Sequence, residues 1–98
     1  MKYSVKFLPV VNHDLLEIDE YLPQFYENTP DKFFKDFHKK LKLLEDTPRM
    51  YAVWPDNPAY RKLVIGHYLA FYKVEDDSRT VVIYRVIDGR RDIKPDDV

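Results

Sequence analysis

The chain of 98 residues contains no cysteine and only two glycines. Without cysteine there is no disulfide framework and no thiolate zinc site. That fits a reducing cytoplasm, which is the expected location. Two glycines and seven prolines exclude collagen-like and low-complexity readings, and no glycine-rich phosphate loop can be built. No apolar run approaches ~20 residues, so no membrane span is expected. The first residues already read as a strand rather than a secretory signal. A strong charge of either sign is also missing. The net charge of −1 lowers the expectation of free nucleic-acid binding.

What is present argues for one folded domain over residues 1–98. The hydrophobic fraction is 45% and the aromatic fraction 15%, enough to build one core and too much for disorder. The charges are unevenly distributed. All but three of the lysines precede residue 50, whereas every arginine lies from Arg49 onward. Arginine suits bidentate contact with phosphate or carboxylate, so the C-terminal half is the half suited to a polyanion.

Residues 60–92 dominate the pattern. Arg61–Ile65, His67–Val74 and 80–88 alternate with a period of two, rich in β-branched and aromatic residues, and predict three consecutive strands. Gly66 and the run 75–79 supply the turns. Both faces of this meander are apolar. One can rest on helices; the other needs a cover, which in so small a domain can be a partner.

Upstream, Tyr3, Val5 and Phe7 alternate with Lys2, Ser4 and Lys6, a half-buried strand closed by Pro9. Asn12 is a candidate N-cap for a helix over 13–27, with Leu15, Ile18, Leu22 and Phe25 on one side and a kink at Pro23. Thr29 and Pro30 open a second helix to about Glu45, with Phe34, Phe37, Leu41 and Leu44 inward and a lysine-rich solvated face outward. Residues 49–59 read as a loop, in which Tyr51 and Trp54 plug the end of the core or stack a substrate. The chain leaves the last strand through Gly89, and Lys94–Val98 is too short and polar for a helix. The expected fold is α+β, ordered β-α-α-β-β-β, a helical hairpin on one face of a small antiparallel sheet.

Little familiar chemistry is available. There is no His-Glu-x-x-His and no cysteine nucleophile, and no metal or cofactor is expected. His13 and His38 fall on helix surfaces. His67 is a hairpin-end surface residue or a general acid–base, its ordinary pKa lying near neutrality. The stronger constellation is basic and aromatic: Arg61, Lys62, Tyr72, Lys73, Arg85, Arg90 and Arg91. Arg85 stands between Ile83 and Ile87, where a charge is costly unless paired. It pairs with an internal acid or faces a groove that receives an anion. Arg90-Arg91 before Asp92 is a self-paired turn or a phosphate clamp.

Three segments together resemble the RelE/ParE superfamily of type II toxin–antitoxin toxins. They are Tyr60-Arg61-Lys62-Leu63, then Gly66-x-Tyr68-x-x-x-Tyr72-Lys73-Val74, then Ile83-x-Arg85-Val86-x-x-Gly89-Arg90-Arg91-Asp92. Asp14-Leu15-x-x-Ile18-x-x-Tyr21, Phe34 with Lys40 and Leu44, and Pro48 resemble that family's helical hairpin and its exit. The resemblance spans essentially the whole chain and implies the same β-α-α-β-β-β fold. It implies a growth-inhibiting bacterial toxin neutralised by a protein antitoxin, in a toxin–antitoxin hetero-oligomer, with DNA gyrase or ribosome-bound mRNA as target. For mRNA cleavage it offers Arg61, Arg85 and Arg91 as candidate catalytic residues, and Lys62, His67, Lys73 and Arg90 as substrate- or partner-binding residues. Against cleavage, Leu69 stands where RelE-like members carry an arginine, and the tail 92–98 lacks their catalytic tyrosine. The Gly-Arg-Arg-Asp ending looks more like the gyrase-poisoning, ParE-like branch, although Asp88 replaces a histidine frequent there. An inert relative that only binds an antitoxin is the third alternative. Tyr68 and Tyr72 are expected in the core in every version.

Overall fold

Why the first helix begins where it does shows how local signals set this fold. Pro9 was expected to close the strand; instead it opens helix α1, Pro9–Tyr21, from its first position. A proline there loses nothing, because its missing N–H would have no helical acceptor. Asn12 therefore lies inside the helix and caps nothing. Starting at Pro9 places Val11, Asp14 and Ile18 on the buried face, at spacings of three and four.

The computed structural model describes residues 2–22 and 29–98, the side chains of 29 and 30 excepted. The expectations for Pro23 and Phe25, and the capping roles of Thr29 and Pro30, lie outside the described residues. Strand β1 is Ser4–Phe7, helix α2 Thr29–Asp46, and strands β2, β3 and β4 are Arg61–Ile65, Tyr68–Glu75 and Thr80–Asp88. A single 3-10 turn, Pro95–Asp97, ends the chain. The order is the expected β-α-α-β-β-β.

The sheet has four strands in the order β1-β4-β3-β2. It is mixed rather than wholly antiparallel. β2, β3 and β4 form an antiparallel meander, whereas β1 lies parallel to β4, Ser4 opposite Thr80 and Phe7 opposite Ile83. The intervening helical hairpin is the long crossover that a parallel pair requires. The β2–β3 turn has two residues, Gly66 and His67, and Gly66 takes φ 58°, a conformation open to glycine at little cost.

Between β3 and β4 the register slips. Phe71 faces Arg85, yet Tyr72 faces Ile83, so one residue of β4 is extra. This bulge reverses the alternation of β4. Val81 and Ile83 face the helices, and beyond the bulge Val86, not Ile87, does so.

Two hydrophobic clusters result. The inner one joins α1 and α2 (Val11, Ile18, Phe37, Leu44) to Leu63, Ala70, Tyr72 and Ile83. The outer one, on the opposite face, consists of Trp54, Tyr60, Phe71 and Ile87, with Tyr84, Ile93 and Val98 against it. The second face is thus covered substantially by this chain's own loop and tail. Trp54 lies 4.6 Å from Phe71, centroid to centroid. Tyr51, in contrast, packs on the inner cluster.

Candidate functional site

The extra residue in β4 re-aims Arg85 to the edge of the sheet, where β1 has already ended. There α1 supplies Asp14. The Arg85 guanidinium donates from Nε to Asp14 Oδ2 at 2.8 Å and from Nη2 to Oδ1 at 2.9 Å. The same Oδ2 accepts the Val86 backbone N–H at 3.1 Å. Asp14 is only 4% exposed. Its carboxylate takes the place of the missing neighbouring strand and neutralises the half-buried charge of Arg85. Arg85 Nη1 also donates to the Asp97 carbonyl at 2.8 Å, tying down the tail. Asp14, as the first cause, raises the Arg85 pKa further above its ordinary value. Of the two sequence readings of Arg85, the structure places it in a pair with an internal acid.

Arg61 is committed elsewhere. Its Nη1 donates to the carbonyls of Tyr51 (2.8 Å) and Arg49 (3.3 Å), fastening the chain as it leaves α2. Tyr72, buried beside it, donates its hydroxyl to the Pro48 carbonyl at 3.0 Å. Burial pushes the Tyr72 phenol up to about 12, partly opposed by the Arg61 charge. Arg90 forks onto Asp88, with Nε to Oδ1 at 3.0 Å and Nη2 to Oδ2 at 2.7 Å. That pairing holds the Asp88 carboxyl below the usual carboxylate range and raises Arg90.

Lys73 lies over two rings on the outer face, 4.7 Å from the Tyr60 centroid and 5.1 Å from that of Tyr84. Cation–π contact at a half-exposed site contributes ~0.5–1 kcal/mol. Lys62 shares that face, opposite Phe71 in the register. His67 is exposed at the turn tip, and its carbonyl accepts the Gly89 N–H at 2.6 Å. A Cβ on Gly89 would meet that carbonyl oxygen at 3.0 Å, so a larger residue would have to push the turn back by a few tenths of an ångström.

Of the seven sequence-chosen basic residues, the fold gathers four around Asp88: Arg85, Arg90, Arg91 and His67. A cleft of about 350 Å³ opens there, lined by Asp14, Glu17, Tyr21, Tyr68, Arg85 and Arg91 among others. Arg91 is exposed, and among the described residues its guanidinium has no ion-pair partner. The cleft mixes signs, since Asp14, Glu17 and Asp88 face Arg85 and Arg91. Arg61, Lys62 and Lys73 belong to the other end or to the outer face. Among the described residues no group of three or more metal-ligating side chains converges, and no helix is long and apolar enough to cross a membrane.

Asp14 is the residue that reading for basic groups misses. It was visible as a charge inside the apolar stripe of α1, matching the misplaced charge of Arg85.

Residues 5–93 match the family described as the ParE toxin of type II toxin–antitoxin system, parDE. The fold is similar to a chain of the chromosomal ParDE system of P. aeruginosa, with a TM-score of 0.69 and 22% identity, covering 89% of this chain and 96% of that one. It is also similar to a chain of the RelBE2 toxin–antitoxin complex of Mycobacterium tuberculosis (TM-score 0.67, 20% identity, coverage 90% and 99%). For the intact E. coli RelBE complex the values are 0.64, 18%, 91% and 99%. No curated protein sequence matches the chain.

Proposed function

The chain belongs to the ParE toxin family of type II toxin–antitoxin systems, and from that premise we propose that it inhibits growth by a ParE-like, non-catalytic action on DNA gyrase and is neutralised by a cognate protein antitoxin. The observation that carries this reading is that three of the four candidate arginine forks are already spent, all but Arg91. RNA cleavage requires a base for the ribose 2′-hydroxyl, an acid for the leaving oxygen and free cations around the phosphorane. Arg61 holds backbone carbonyls, Arg85 holds Asp14 and Arg90 holds Asp88. Such groups position the fold rather than a substrate. The tail from Asp92 onward brings no tyrosine or histidine that could serve as acid.

A second reading is RelE-like cleavage of mRNA on the ribosome. It is favoured by one specific feature, the meeting of Arg91, Tyr68 and the cleft between α1 and β4. There Arg91 is the candidate cation, and Lys62, Lys73 and His67 are left for substrate or partner contact.

Induction of this chain alone in bacteria, with mRNA 5′ ends and DNA breaks read in parallel, separates the two. DNA breaks with intact mRNA are expected. New codon-positioned mRNA ends with intact DNA would replace the proposal by the second reading. Normal growth at confirmed soluble levels would mean an inert, antitoxin-binding relative.

A further inference from the structure

Helix α2 carries five lysines, and the fold uses one of them. Lys40 reaches the β2 edge of the sheet, where its Nζ donates to the Val64 carbonyl at 2.8 Å and pairs with Asp36 at 3.3 Å. A lysine laid on an edge carbonyl is a known guard against further strand pairing. Lys32, Lys35, Lys39 and Lys42 are exposed, and none has an ion pair among the described residues. Their spacing of three, four and three sets them in one row, on the side of the helix opposite Phe33, Phe37, Leu41 and Leu44. The row is about 15 Å long, at ~1.5 Å per residue. It does nothing for the helix. Lysines three and four apart repel each other. Lys32 stands in the first turn, where the helix dipole disfavours a cation, while the last turn holds no base and ends in Glu45 and Asp46. Two carboxylates border the row, Asp31 and Asp36. The first lies where the dipole favours it, and the second is held by Lys40. In a chain whose net charge is −1, this concentration of unpaired cations points to an external anion.

The row also describes that anion. The apolar face of α2 is consumed by the core, so the helix cannot sink into a bilayer. Lysine is depleted from protein–protein interfaces, and the row contains neither arginine nor an aromatic ring, the residues that dominate their binding energy. The lack of a ring also removes the stacking platform on which single strands are held. What remains is a series of point charges at regular intervals, suited to phosphates. At a rise of ~3.4 Å per phosphate, the row spans roughly four to five phosphates of one strand. We propose that the lysine row of α2 contacts the phosphate backbone of duplex DNA, without reading its sequence. That this duplex is the DNA held by gyrase rests on the reading given above. Four contacts bind weakly by themselves, and a net charge of −1 adds no general attraction. The row therefore acts once gyrase has brought toxin and DNA together and raised their effective concentration.

The test titrates the full chain, labelled with ¹⁵N, with a short DNA duplex at several salt concentrations, without gyrase. The shifts are expected to centre on the amides of α2. Log affinity is expected to fall against log salt with a slope of about −3 to −4, the value for four phosphate contacts. K35Q/K39Q is expected to weaken binding about tenfold and to flatten the slope by about two, one for each lysine. Its melting temperature is expected to be no lower than that of the parent, because a repulsion has been removed. K2Q/K6Q takes the same charge from two exposed positions of the N-terminal strand region, and it is expected to change affinity by less than about twofold. Equal losses in the two variants would reduce the effect to net charge and overturn the proposal. Tighter binding of polyglutamate than of the duplex would also overturn it, by identifying an acidic protein as the occupant. So would tighter binding of an RNA duplex of the same sequence, which fits a ribosomal target. A separate pull-down with purified gyrase tests the reading beneath: a parent chain that ignores gyrase would sink that reading, while the bare duplex still judges the lysine row.

Discussion

The inner and outer faces of the sheet are both apolar, and they are covered by opposite means. Two regular helices close the inner face, and its apolar residues come from every element. An eleven-residue loop (49–59) and a six-residue tail (93–98) close the outer face, with Trp54 as the one large side chain contributed from the loop. A helix satisfies its own backbone, so it covers a surface cheaply in hydrogen bonds. A loop must find partners group by group. Here it does so through the Trp54–Tyr60, Tyr60–Asn57 and Lys62–Ala52 backbone bonds. The cover of the outer face therefore depends on a few particular contacts, whereas the inner face depends on many interchangeable ones.

The largest effect that would break this contrast is at Phe71, fully buried beneath Trp54. Phe71→Ala is expected to destabilise by about 3–5 kcal/mol, as in a true core. A urea melt giving ~1 kcal/mol would show instead that loop and tail lie on the sheet without sealing it. Next is Asp14→Asn, which keeps an acceptor for the Val86 N–H but leaves the Arg85 charge unpaired. About 3 kcal/mol is expected, together with faster amide exchange in the tail that Arg85 holds. Unchanged stability would show that solvent, not Asp14, neutralises Arg85.

A smaller effect concerns Tyr72. Its phenol is raised to about 12 in the fold, against ~10 unfolded. The unfolded chain releases that proton first, so this contribution to stability is complete below pH 10 and is lost as pH rises toward 12. Tyr72→Phe is expected to cost about 1 kcal/mol at neutral pH by orphaning the Pro48 carbonyl, and to flatten the alkaline limb of the stability curve. An identical alkaline limb in the variant would assign the loss to another group. The smallest effect is at Lys40. Lys40→Ala is expected to change stability by less than about 0.5 kcal/mol, while exposing the Val64 carbonyl. New association of the variant, seen by sedimentation, would confirm that this lysine guards the β2 edge.

These differences track what was legible in the sequence. The meander, the order of elements and the lysine face of α2 followed from periodicity, because each is a local pattern. The parallel β1–β4 pair was not legible, since strand direction is decided by the crossover and not by the residues of β1. The bulge was missed for a related reason. Strict alternation puts Val81, Ile83, Arg85 and Ile87 on one face, and nothing local signals the extra residue that sends Val86 inward and Ile87 outward. The self-covered outer face hid inside a proline-rich loop, where Trp54 had no periodicity to report on it. For the candidate site, the gathering of Arg85, Arg90 and Arg91 was legible as sequence proximity. Their partners were only half so. Asp88 lies within two residues of Arg90, but Asp14 is 71 residues from Arg85 and showed only as a charge inside the apolar stripe of α1.

The parallel pairing of Ser4 with Thr80 also sets a clock for synthesis. A chain made at roughly 5–20 residues per second leaves the first strand without its neighbour for several seconds, from about four to fifteen. Throughout that interval Tyr3, Val5 and Phe7 have no sheet to join. The inner core cannot close, and the arginine that clamps the tail has not been made. Whatever this protein does once folded, it cannot begin before β4 has been made, and β1, the first strand to emerge, is the one that waits longest for its place.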